Sequence, residues 1–372
     1  MSGTDETERQ ARLALSCVVE AGDPEVTGWV AREGAQQVWA ELRAGSTESR
    51  WNRRAGLFDP DPVLDLADRA RVRFVIPGDA EWPDGLSDLA LASPVRNHGG
   101  MPYGLWLRGA GNLAEISRRS VAVVGSRAAT PYGIEVAAHL AAELQDDRWR
   151  VISGGAYGID AAAHRGALAM DAPTVAVLAC GPDRPYPTGN QTMFEQIMEH
   201  GLLVSEQPPG ERPTKPRFLS RNRVIAALST GAVVVEGALR SGSRSTATWA
   251  GRCGRPLMAV PGSVFASESF TPHALIRDQE AVLVADAAQV REVVGAFGDD
   301  CLPFERGPER PLDRLDPAEV DVYEALPARG GRSAEELSIR AGLALPTCLS
   351  ALATLQVAGL VTRTADGRWC LG

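Results

Sequence analysis

The chain has 372 residues, of which 44% are hydrophobic and 23% are charged. This length and composition are typical of a globular protein with two or three domains. A formal net charge of −9 excludes a generally basic protein, so any nucleic-acid site must be a small basic region. No apolar run approaches the roughly 20 residues that span a bilayer, and MSGTDETERQ lacks the basic and apolar regions of a signal peptide. The sequence therefore predicts a cytoplasmic protein without a membrane segment.

The six cysteines and five histidines do not predict a metal site or a catalytic site. The cysteines are scattered without a CxxC pair, which favours reduced thiols over a disulfide framework or a zinc site. The histidines have no partner cysteine and no GxSxG serine. His164 follows Asp160 by four residues on a predicted helix, so a contact between these side chains is expected. We expect no cofactor and no metal.

Residues 1–70 predict a small helical domain. Apolar residues recur every three or four positions in ARLALSCVVEAG, VTGWVAREGAQQVWAELRAG and PVLDLADRARV. The following run, RFVIPGDAEWPDGLSDL, is apolar but broken by proline and glycine, and GLWLRG predicts a short strand. We expect the stretch from Val72 to Gly109 to join a sheet.

Residues 71–297 predict a Rossmann-like domain. Seven short apolar runs, with helical segments between most of them, follow from Ser120 onwards: SVAVVGS, WRVISGG, TVAVLACG, GLLVSEQ, AVVVEGA, PLMAVPG and AVLVAD. Continuously apolar strands followed by helices indicate a doubly wound, mainly parallel sheet that is buried on both faces. The predicted fold class is α/β, and ligands of such sheets bind at the carboxyl ends of the strands.

The C-terminal part predicts a second, smaller domain. The polar and proline-rich segment FGDDCLPFERGPERP indicates a linker at residues 298–312. Residues 313–372 predict a helix, a second helix, a turn, a third helix and a hairpin. This order is typical of a winged-helix domain.

Two of the seven predicted strands end in glycine-rich turns. The first is followed by Gly125, Ser126 and Arg127, and the second by Ser153, Gly154, Gly155, Ala156, Tyr157 and Gly158. Glycines at such turns let backbone N–H groups approach an anion at the positive end of a helix. Arg127 would add a charged fork at the same place. The alternatives are a purely steric use of glycine and a salt bridge of Arg127 within the domain.

Two common nucleotide-binding motifs are absent from the sequence. GSRAATPYG contains no GxGxxG, and the glycine spacing in GGAYG does not fit that motif. Lys215 is the only lysine and is followed by Pro216, so no Gly-Lys-Ser/Thr sequence exists. A P-loop ATPase of the standard form is therefore excluded.

A basic segment follows the fourth of these strands. It contains Arg212, Lys215, Arg217, Phe218, Arg221, Asn222 and Arg223. A basic island on an acidic chain indicates a local polyanion site, and Phe218 would offer a stacking face for a base of single-stranded nucleic acid; its alternative role is that of a core residue. Arg221 and Arg223 are two positions apart and cannot share one helix face. One would contact phosphate, and the other, more readily Arg223, would pair with an acid such as Glu206 or Glu236.

A hydroxyl-rich loop follows the next strand. Glu236 ends that strand, and Ser241, Gly242, Ser243, Ser245 and Thr246 surround the start of the next predicted helix. Such a turn is favourable for an anion. Helix capping alone would also explain some of these hydroxyl groups.

Several segments, in this order along the chain, resemble the DprA/Smf family of DNA-processing proteins. They lie between Ser120 and Val294 and comprise VAVVGSR, ISGGAYGIDAAAHRGAL, CGPDRPYP, LLVSEQPPG, FLSRNRVIAALS, VVVEGALRSGS and AVPGS. The segments upstream are similar to the part that precedes the Rossmann domain in this family. The N-terminal helices resemble its SAM-like domain, and the tail resembles its winged-helix domain.

The resemblance implies a non-catalytic mediator of recombination. Such proteins bind and protect incoming single-stranded DNA in natural transformation and load the RecA recombinase onto it, commonly as homodimers. From the sequence pattern and the resemblance together, the predicted DNA-binding residues are Gly125, Ser126, Arg127, Ser153, Gly154, Gly155, Ala156, Gly158, Lys215, Arg217, Phe218, Arg221, Asn222, Arg223, Ser241, Gly242 and Ser243.

Two segments depart from the family pattern. In SGSRSTA, Arg244 stands where the family usually has an apolar residue, and FTPHALIRD lacks the glycine that commonly precedes the Leu-Ile pair. Both lie in the half of the domain that carries the dimer and recombinase contacts of the family.

The tail is not predicted to read duplex DNA. Its presumed recognition helix, PTCLSALATLQVAGL, contains no Lys, Arg, Asn or His, and residues 313–372 hold eight acidic residues against six arginines. Groove reading normally requires basic and amide side chains. We expect this domain to bind protein or to pack on its own Rossmann domain.

Two other functions would use a similar fold. Phosphoribohydrolases acting on nucleoside monophosphates carry a PGGxGT loop and a catalytic glutamate; here the loop is absent and Glu236 would be the glutamate. A sensor that binds a nucleotide-like ligand without turnover is the other alternative.

Overall fold

The structure is a computed structural model that describes residues 3–46, 48–146, 148–239, 241–295, 311–327 and 330–372. The chain divides into two units, Met1–Cys301 and Leu302–Gly372. Of the predicted linker at 298–312, only residues 311 and 312 belong to the described part of the chain.

The N-terminal part of the larger unit is helical, as the periodicity predicted. Its helices are α1 (Gly3–Val18), α2 (Pro24–Glu33), α3 (Ala35–Ala44), α4 (Asn52–Gly56) and α5 (Asp61–Ala70). Leu15, Val38 and Leu42 are fully buried in a core of their own between these helices. The Asp23 carboxylate begins α2 by accepting hydrogen bonds from two backbone N–H groups of its first turn.

A nine-stranded sheet follows the helices. Its strands are β1 (Arg73–Val75), β2 (Leu105–Arg108), β3 (Ser120–Val124), β4 (Arg150–Ser153), β5 (Thr174–Leu178), β6 (Leu202–Ser205), β7 (Gly231–Val234), β8 (Leu257–Ala259) and β9 (Val282–Leu283). The order across the sheet is β1-β2-β6-β5-β4-β3-β7-β8-β9. Only β2 pairs antiparallel with its neighbours, β1 and β6; β3 to β9 are parallel. The predicted α/β class with a mainly parallel sheet is confirmed, and all seven apolar runs are strands.

Helices cover both faces of this sheet. In chain order they are α6 (Leu113–Arg118), α7 (Pro131–Asp146), α8 (Ile159–Ala169), α9 (Gln191–His200), α10 (Lys215–Leu228), α11 (Ser243–Arg252), α12 (Phe270–Arg277) and α13 (Ala287–Val294). Successive residues of β3 enter different cores. Ala122 and Val124 pack with α10 and α11, whereas Val121 and Val123 pack with α7, α8 and α13. This two-sided burial explains why the strands are apolar throughout.

The strand order creates a switch point next to β3. The chain adds β4, β5 and β6 on one side of β3 and then returns to place β7 on its other side. The connections after β3 and β7 therefore diverge at the carboxyl edge of the sheet and leave a crevice between them.

The smaller unit contains three helices and a hairpin, in the order that the sequence predicts. These elements are α14 (Pro317–Ala325), α15 (Ala334–Ala341), α16 (Leu345–Val357), β10 (Val361–Arg363) and β11 (Trp369–Leu371). Leu337, Leu352 and Leu355 are fully buried in its core. Among the described residues, no single helix is long and apolar enough to cross a membrane; α15 and α16 would reach that length only together, with a bend of 106° between them.

Helix α10 is buried on most of its surface, including its three arginines. Arg223 has no exposed side-chain surface, and its guanidinium donates two hydrogen bonds of 2.7 Å to the Glu206 carboxylate. Arg217 is 9% exposed and binds Glu20 at 2.9 Å and Glu211 at 2.6 Å. Because Glu20 directly follows α1, this ion pair joins the N-terminal helices to α10.

The Arg223–Glu206 pair is expected to be necessary for stability. Arg223→Met should lower the free energy of unfolding by about 3–5 kcal/mol, because it leaves a buried carboxylate without its partner. The double variant Arg223→Met, Glu206→Leu should regain most of this loss, since both charges are then absent. Urea unfolding of the wild type, the single variant and the double variant measures these free energies.

Arg244→Met is the control, because Arg244 pairs with Glu280 at 2.7 Å on the surface, where both side chains are more than 40% exposed. In this variant the free energy of unfolding should fall by less than about 1 kcal/mol. A double variant that is no more stable than Arg223→Met would contradict the prediction.

A buried histidine on α8 makes stability depend on pH. The Thr174 hydroxyl donates to the Val151 carbonyl at 2.7 Å, so His164 Nδ1 donates to Thr174 Oγ1 at 2.9 Å. His164 Nε2 is buried and finds no hydrogen-bond partner among the described residues. Burial, with a smaller contribution from the positive charge of Arg221, lowers the pKa of His164 from 6.5 to about 3. The expected contact between His164 and Asp160 is wrong, since the imidazole binds Thr174.

Acid should therefore destabilise the protein through His164. Between pH 6.5 and pH 3 the unfolded chain binds a proton that the folded imidazole does not, so the free energy of unfolding falls as pH falls, by about 2 kcal/mol from pH 6.5 to pH 5. His164→Gln should remove this part of the slope when urea unfolding is measured across that range. His139→Gln, on the exposed side of α7, is the control. Equal slopes in the wild type and His164→Gln would refute the assignment.

Candidate nucleic-acid interface

A cleft of about 460 Å³ opens at the switch point of the sheet. Its walls are the loops after β3, β4 and β7 and the first turns of α10 and α11. Ten of the predicted residues line it: Gly125, Ser126, Arg127, Ala156, Phe218, Arg221, Asn222, Ser241, Gly242 and Ser243. The basic segment and the two predicted anion-binding turns thus meet in one crevice.

The turns after β3 and β4 pack directly against each other and against α10. Gly158 has φ +76°, and a side chain there would collide with the backbone carbonyl of Ser126. A Cβ at Gly154 would overlap the guanidinium of Arg221. Glycine at these two positions is therefore required for the close approach of three segments that lie far apart in the sequence.

Arg221 lies at the floor of the cleft with its charge only partly compensated. The side chain is 7% exposed, and the ion pair that it makes with Asp160 joins Nη1 and Oδ2 at 3.9 Å, which is too long for a hydrogen bond. Its Nε is buried without a partner among the described residues. Burial lowers the pKa of Arg221, Asp160 offsets part of this, and the positive charge of Arg127 adds to it. A buried guanidinium in this state would gain from an anionic ligand.

Asp160 also lines the cleft, at the first turn of α8. Its carboxylate accepts a hydrogen bond of 3.3 Å from the Ala156 N–H. Burial raises the pKa of Asp160, and the charge of Arg221 opposes this shift. The two groups thus stabilise each other only in part.

Phe218 is half-buried and contacts two guanidinium groups. The Cζ atom of Arg127 lies 4.5 Å from the centre of the ring, and that of Arg221 lies 5.9 Å away. Cations at such distances are attracted to the face of an aromatic ring. The ring of Tyr186 approaches with a centroid distance of 6.2 Å and an interplanar angle of 61°. Phe218 is absent from the hydrophobic core clusters of the described residues, so the core alternative is wrong.

The hydroxyl-rich loop at Ser241, Gly242 and Ser243, here named the serine loop, forms another wall of the cleft. Ser241 Oγ and Ser243 Oγ are 2.7 Å apart, and the Ser243 N–H donates to Ser241 Oγ at 3.2 Å. The Asn222 side chain donates to the Gly242 carbonyl at 3.4 Å and so connects the loop to α10. Ser243 begins α11, whose N-terminal end, with partial positive charge, therefore borders the cleft.

The remaining predicted residues do not line the cleft. Ser153 is buried and donates to the Val123 carbonyl at 2.6 Å, and Gly155 lies against the Phe194 ring. Arg217 and Arg223 are engaged in the buried ion pairs with acids described above; Glu206 is the partner of Arg223. Gly154 and Gly158 act by packing against the residues that do line the cleft. Lys215 is exposed at the first residue of α10.

Glu236 is not a cleft residue. Its carboxylate accepts hydrogen bonds from the backbone N–H and the hydroxyl of Thr130, which precedes α7. A side chain at Gly133 would collide with the same carboxylate. Both oxygens thus face the start of α7, so this geometry does not favour the alternative of a hydrolase that uses Glu236.

Sequence reasoning missed two exposed tyrosines beside the cleft. Tyr157 and Tyr186 are 50% and 46% exposed, and Tyr186 contacts Phe218. The Asn190 side chain donates to the Gly155 carbonyl at 3.0 Å and holds the two tyrosine-bearing loops together. The signal was present, because Tyr157 belongs to ISGGAYGID and Tyr186 to CGPDRPYP, but local spacing does not reveal that these motifs are neighbours.

The fold and the cleft together define a Rossmann-like protein with a partly basic cleft at the switch point of its sheet and without a dinucleotide or P-loop motif. The family model described as DNA recombination-mediator protein A matches residues 73–295. The chain is 47% identical over 365 residues to a protein named DNA processing protein DprA in Mycobacterium tuberculosis, covering 97% of this chain and 90% of that protein. It is 34% identical to the protein Smf of Escherichia coli, with 69% of each chain covered. The chain belongs to the DNA recombination-mediator protein A family, also called DprA/Smf.

Two solved structures of this family are similar to the fold. The X-ray structure of DNA processing protein A from Streptococcus pneumoniae has a TM-score of 0.64 and 27% identity, covering 78% of this chain and 98% of that chain. A structure of DNA processing protein A from Helicobacter pylori, which concerns the single-stranded DNA binding mode of that protein, has a TM-score of 0.51 and 26% identity. It covers 60% of this chain and 96% of that chain.

Proposed function

We propose that this chain binds single-stranded DNA in the cleft and acts without catalysis as a recombination mediator that protects the strand and loads the RecA recombinase onto it. One observation carries the DNA-binding part, namely the buried guanidinium of Arg221 at the floor of the cleft. Its charge has been removed from water, and Asp160 at 3.9 Å compensates for it poorly. A DNA phosphate would supply the missing charge-assisted hydrogen bonds.

The other groups in and around the cleft suit a single strand. Arg127 and Lys215 are exposed and would contact phosphates, and the ring of Phe218 holds Arg127 beside the entrance. The serine loop and the start of α11 add neutral donors. In this proposal these groups contact phosphates and ring faces, which every nucleotide presents, so we expect affinity without strong sequence preference.

The proposal includes a homodimer. Its support is an exposed apolar surface next to the cleft, in which Leu239, Val264 and Phe265 are 67%, 79% and 96% exposed and line a cavity with Phe270. Apolar side chains gathered in this way commonly mark a protein contact. Arg244, the departure from the family pattern, does not line this cavity or the cleft, and its ion pair with Glu280 is on the surface.

The N-terminal helices would be a SAM-like domain and the smaller unit a winged-helix domain that binds protein. The support for protein binding is α16, which lacks basic residues and exposes Leu349 and Val357. Deleting residues 302–372 should therefore leave the affinity of the chain for duplex DNA unchanged, measured by fluorescence anisotropy at physiological salt. A clear loss of duplex affinity would overturn this assignment.

The DNA-binding proposal is tested by titrating single-stranded and duplex oligonucleotides at two salt concentrations. The wild type should prefer the single strand, and the logarithm of its affinity should fall with the logarithm of salt by about 0.7 for each phosphate neutralised. Arg221→Met should lower affinity roughly 10- to 100-fold and reduce that slope by about 0.7, because one charged contact is lost. Adding purified recombinase to the complex then measures loading.

Further variants separate the roles within the cleft. Arg127→Ala and Lys215→Ala should weaken binding equally for all sequences, and Phe218→Ala should cost about 0.5–2 kcal/mol because Arg127 loses the ring that holds it in place. Arg252→Met is the control, because Arg252 is exposed at the opposite end of α11 from the cleft. A complex insensitive to salt, or unchanged binding in the variants of Arg127, Lys215, Phe218 and Arg221, would refute the proposed site.

A further inference from the structure

A second cavity, of about 370 Å³, lies beside the cleft on the far side of Tyr186. It is formed by the loop between β5 and α9 and by the segment that leads into α10. Arg184, Tyr186 and Arg212 line it together. Tyr186 connects this cavity to the cleft, because its ring also contacts Phe218 of the cleft with a centroid distance of 6.2 Å.

The two acidic side chains of this cavity are already engaged. Glu211 binds Arg217 at 2.6 Å. Asp183 is 9% exposed and accepts a hydrogen bond of 2.9 Å from the Gly210 N–H. Its distance to Arg184 is 3.8 Å, and the Arg184 side chain is 75% exposed. Arg184 and Arg212 therefore carry the most exposed charges of the cavity.

Between the cleft and the second cavity, the ring of Tyr186 is more open to solvent than the ring of Phe218. Phe218 is half-buried, and Arg127 lies 4.5 Å from the centre of its ring. Tyr186 is 46% exposed. Asn190, in the same loop, fixes its position by the 3.0 Å hydrogen bond to the Gly155 carbonyl. An exposed ring whose loop is held in place stacks on a base with little loss of entropy.

We propose that this cavity is a second nucleotide subsite, in which a neighbouring base of the bound strand stacks on Tyr186 and its phosphate contacts Arg184 and Arg212. The inference rests on the proposed binding of single-stranded DNA and extends it. In this arrangement Arg221 and Arg127 hold phosphates in the cleft, and Tyr186 supplies the main stacking surface of the site. The strand then runs from the serine loop, past Phe218, to the segment before α10.

The test is a length series of oligothymidylates bound to the full chain, measured by fluorescence anisotropy. Wild-type affinity should rise when the oligonucleotide becomes long enough to occupy both the cleft and the second cavity. Tyr186→Ala should lose that rise, about tenfold in affinity, and should leave the shortest binding oligonucleotide unaffected. Tyr186→Phe is the matched control and should keep the rise, since a phenyl ring stacks as well. Arg184→Ala and Arg212→Ala should each reduce the salt slope by about 0.7, only with the longer oligonucleotides.

The outcomes distinguish the subsite from the proposed function. If Arg221→Met weakens binding while Tyr186→Ala changes nothing, the cleft is correct and the second subsite is wrong. Equal losses with short and long oligonucleotides in Tyr186→Ala would also overturn the subsite, because Tyr186 would then act only by positioning Phe218. If no variant of the cleft or of the second cavity changes binding, both proposals fail. Photocrosslinking of a strand that contains 5-iodouracil should label the peptide with Tyr186 in the wild type.

Discussion

The burial of three guanidinium groups on α10 is the constraint on which the rest of the structure depends. Each of these charges, once removed from water, needs a partner. Arg217 obtains two carboxylates, one of them from the N-terminal helices, and Arg223 obtains Glu206 with two short hydrogen bonds. Arg221 obtains only a long contact with Asp160. The first two hold the larger unit together, and the third leaves a positive group at the floor of the cleft.

The sheet decides where this group becomes accessible. Because β7 returns to the side of β3 opposite β4, the loops that follow these three strands surround one point at the carboxyl edge. Glycine at positions 154 and 158 allows the turns to approach α10 and each other without a side chain between them. The cleft is therefore preorganised, and a bound phosphate would not have to pay for ordering its walls.

The aromatic residues around the cleft have separate roles. In the proposed site, Phe218 would position charge through the two guanidinium groups beside its ring, whereas Tyr186 would offer its exposed ring to a base. A site with separate phosphate-binding and stacking groups suits an extended, flexible strand better than a mononucleotide. The engagement of Glu236 by Thr130 agrees with this, since it keeps the nearest strand-end carboxylate away from the cleft.

The sequence by itself determined the elements and the chemistry of the segments. Continuous apolar runs predicted the seven strands, because a sheet covered on both faces needs apolar residues at every position. The glycine turns, the serine loop and the basic segment identified most of the cleft, and the two-residue spacing of Arg221 and Arg223 predicted their different partners.

Only the tertiary structure decided which charges are available. Arg217 meets Glu20, almost 200 positions earlier in the chain, and Tyr186, in the connection after β5, meets Phe218 on α10. Such pairs follow from strand order and helix packing, which local spacing does not encode. The same physical reason explains why the pairing of His164 with Thr174, and not with Asp160, was missed: burial selects partners in three dimensions.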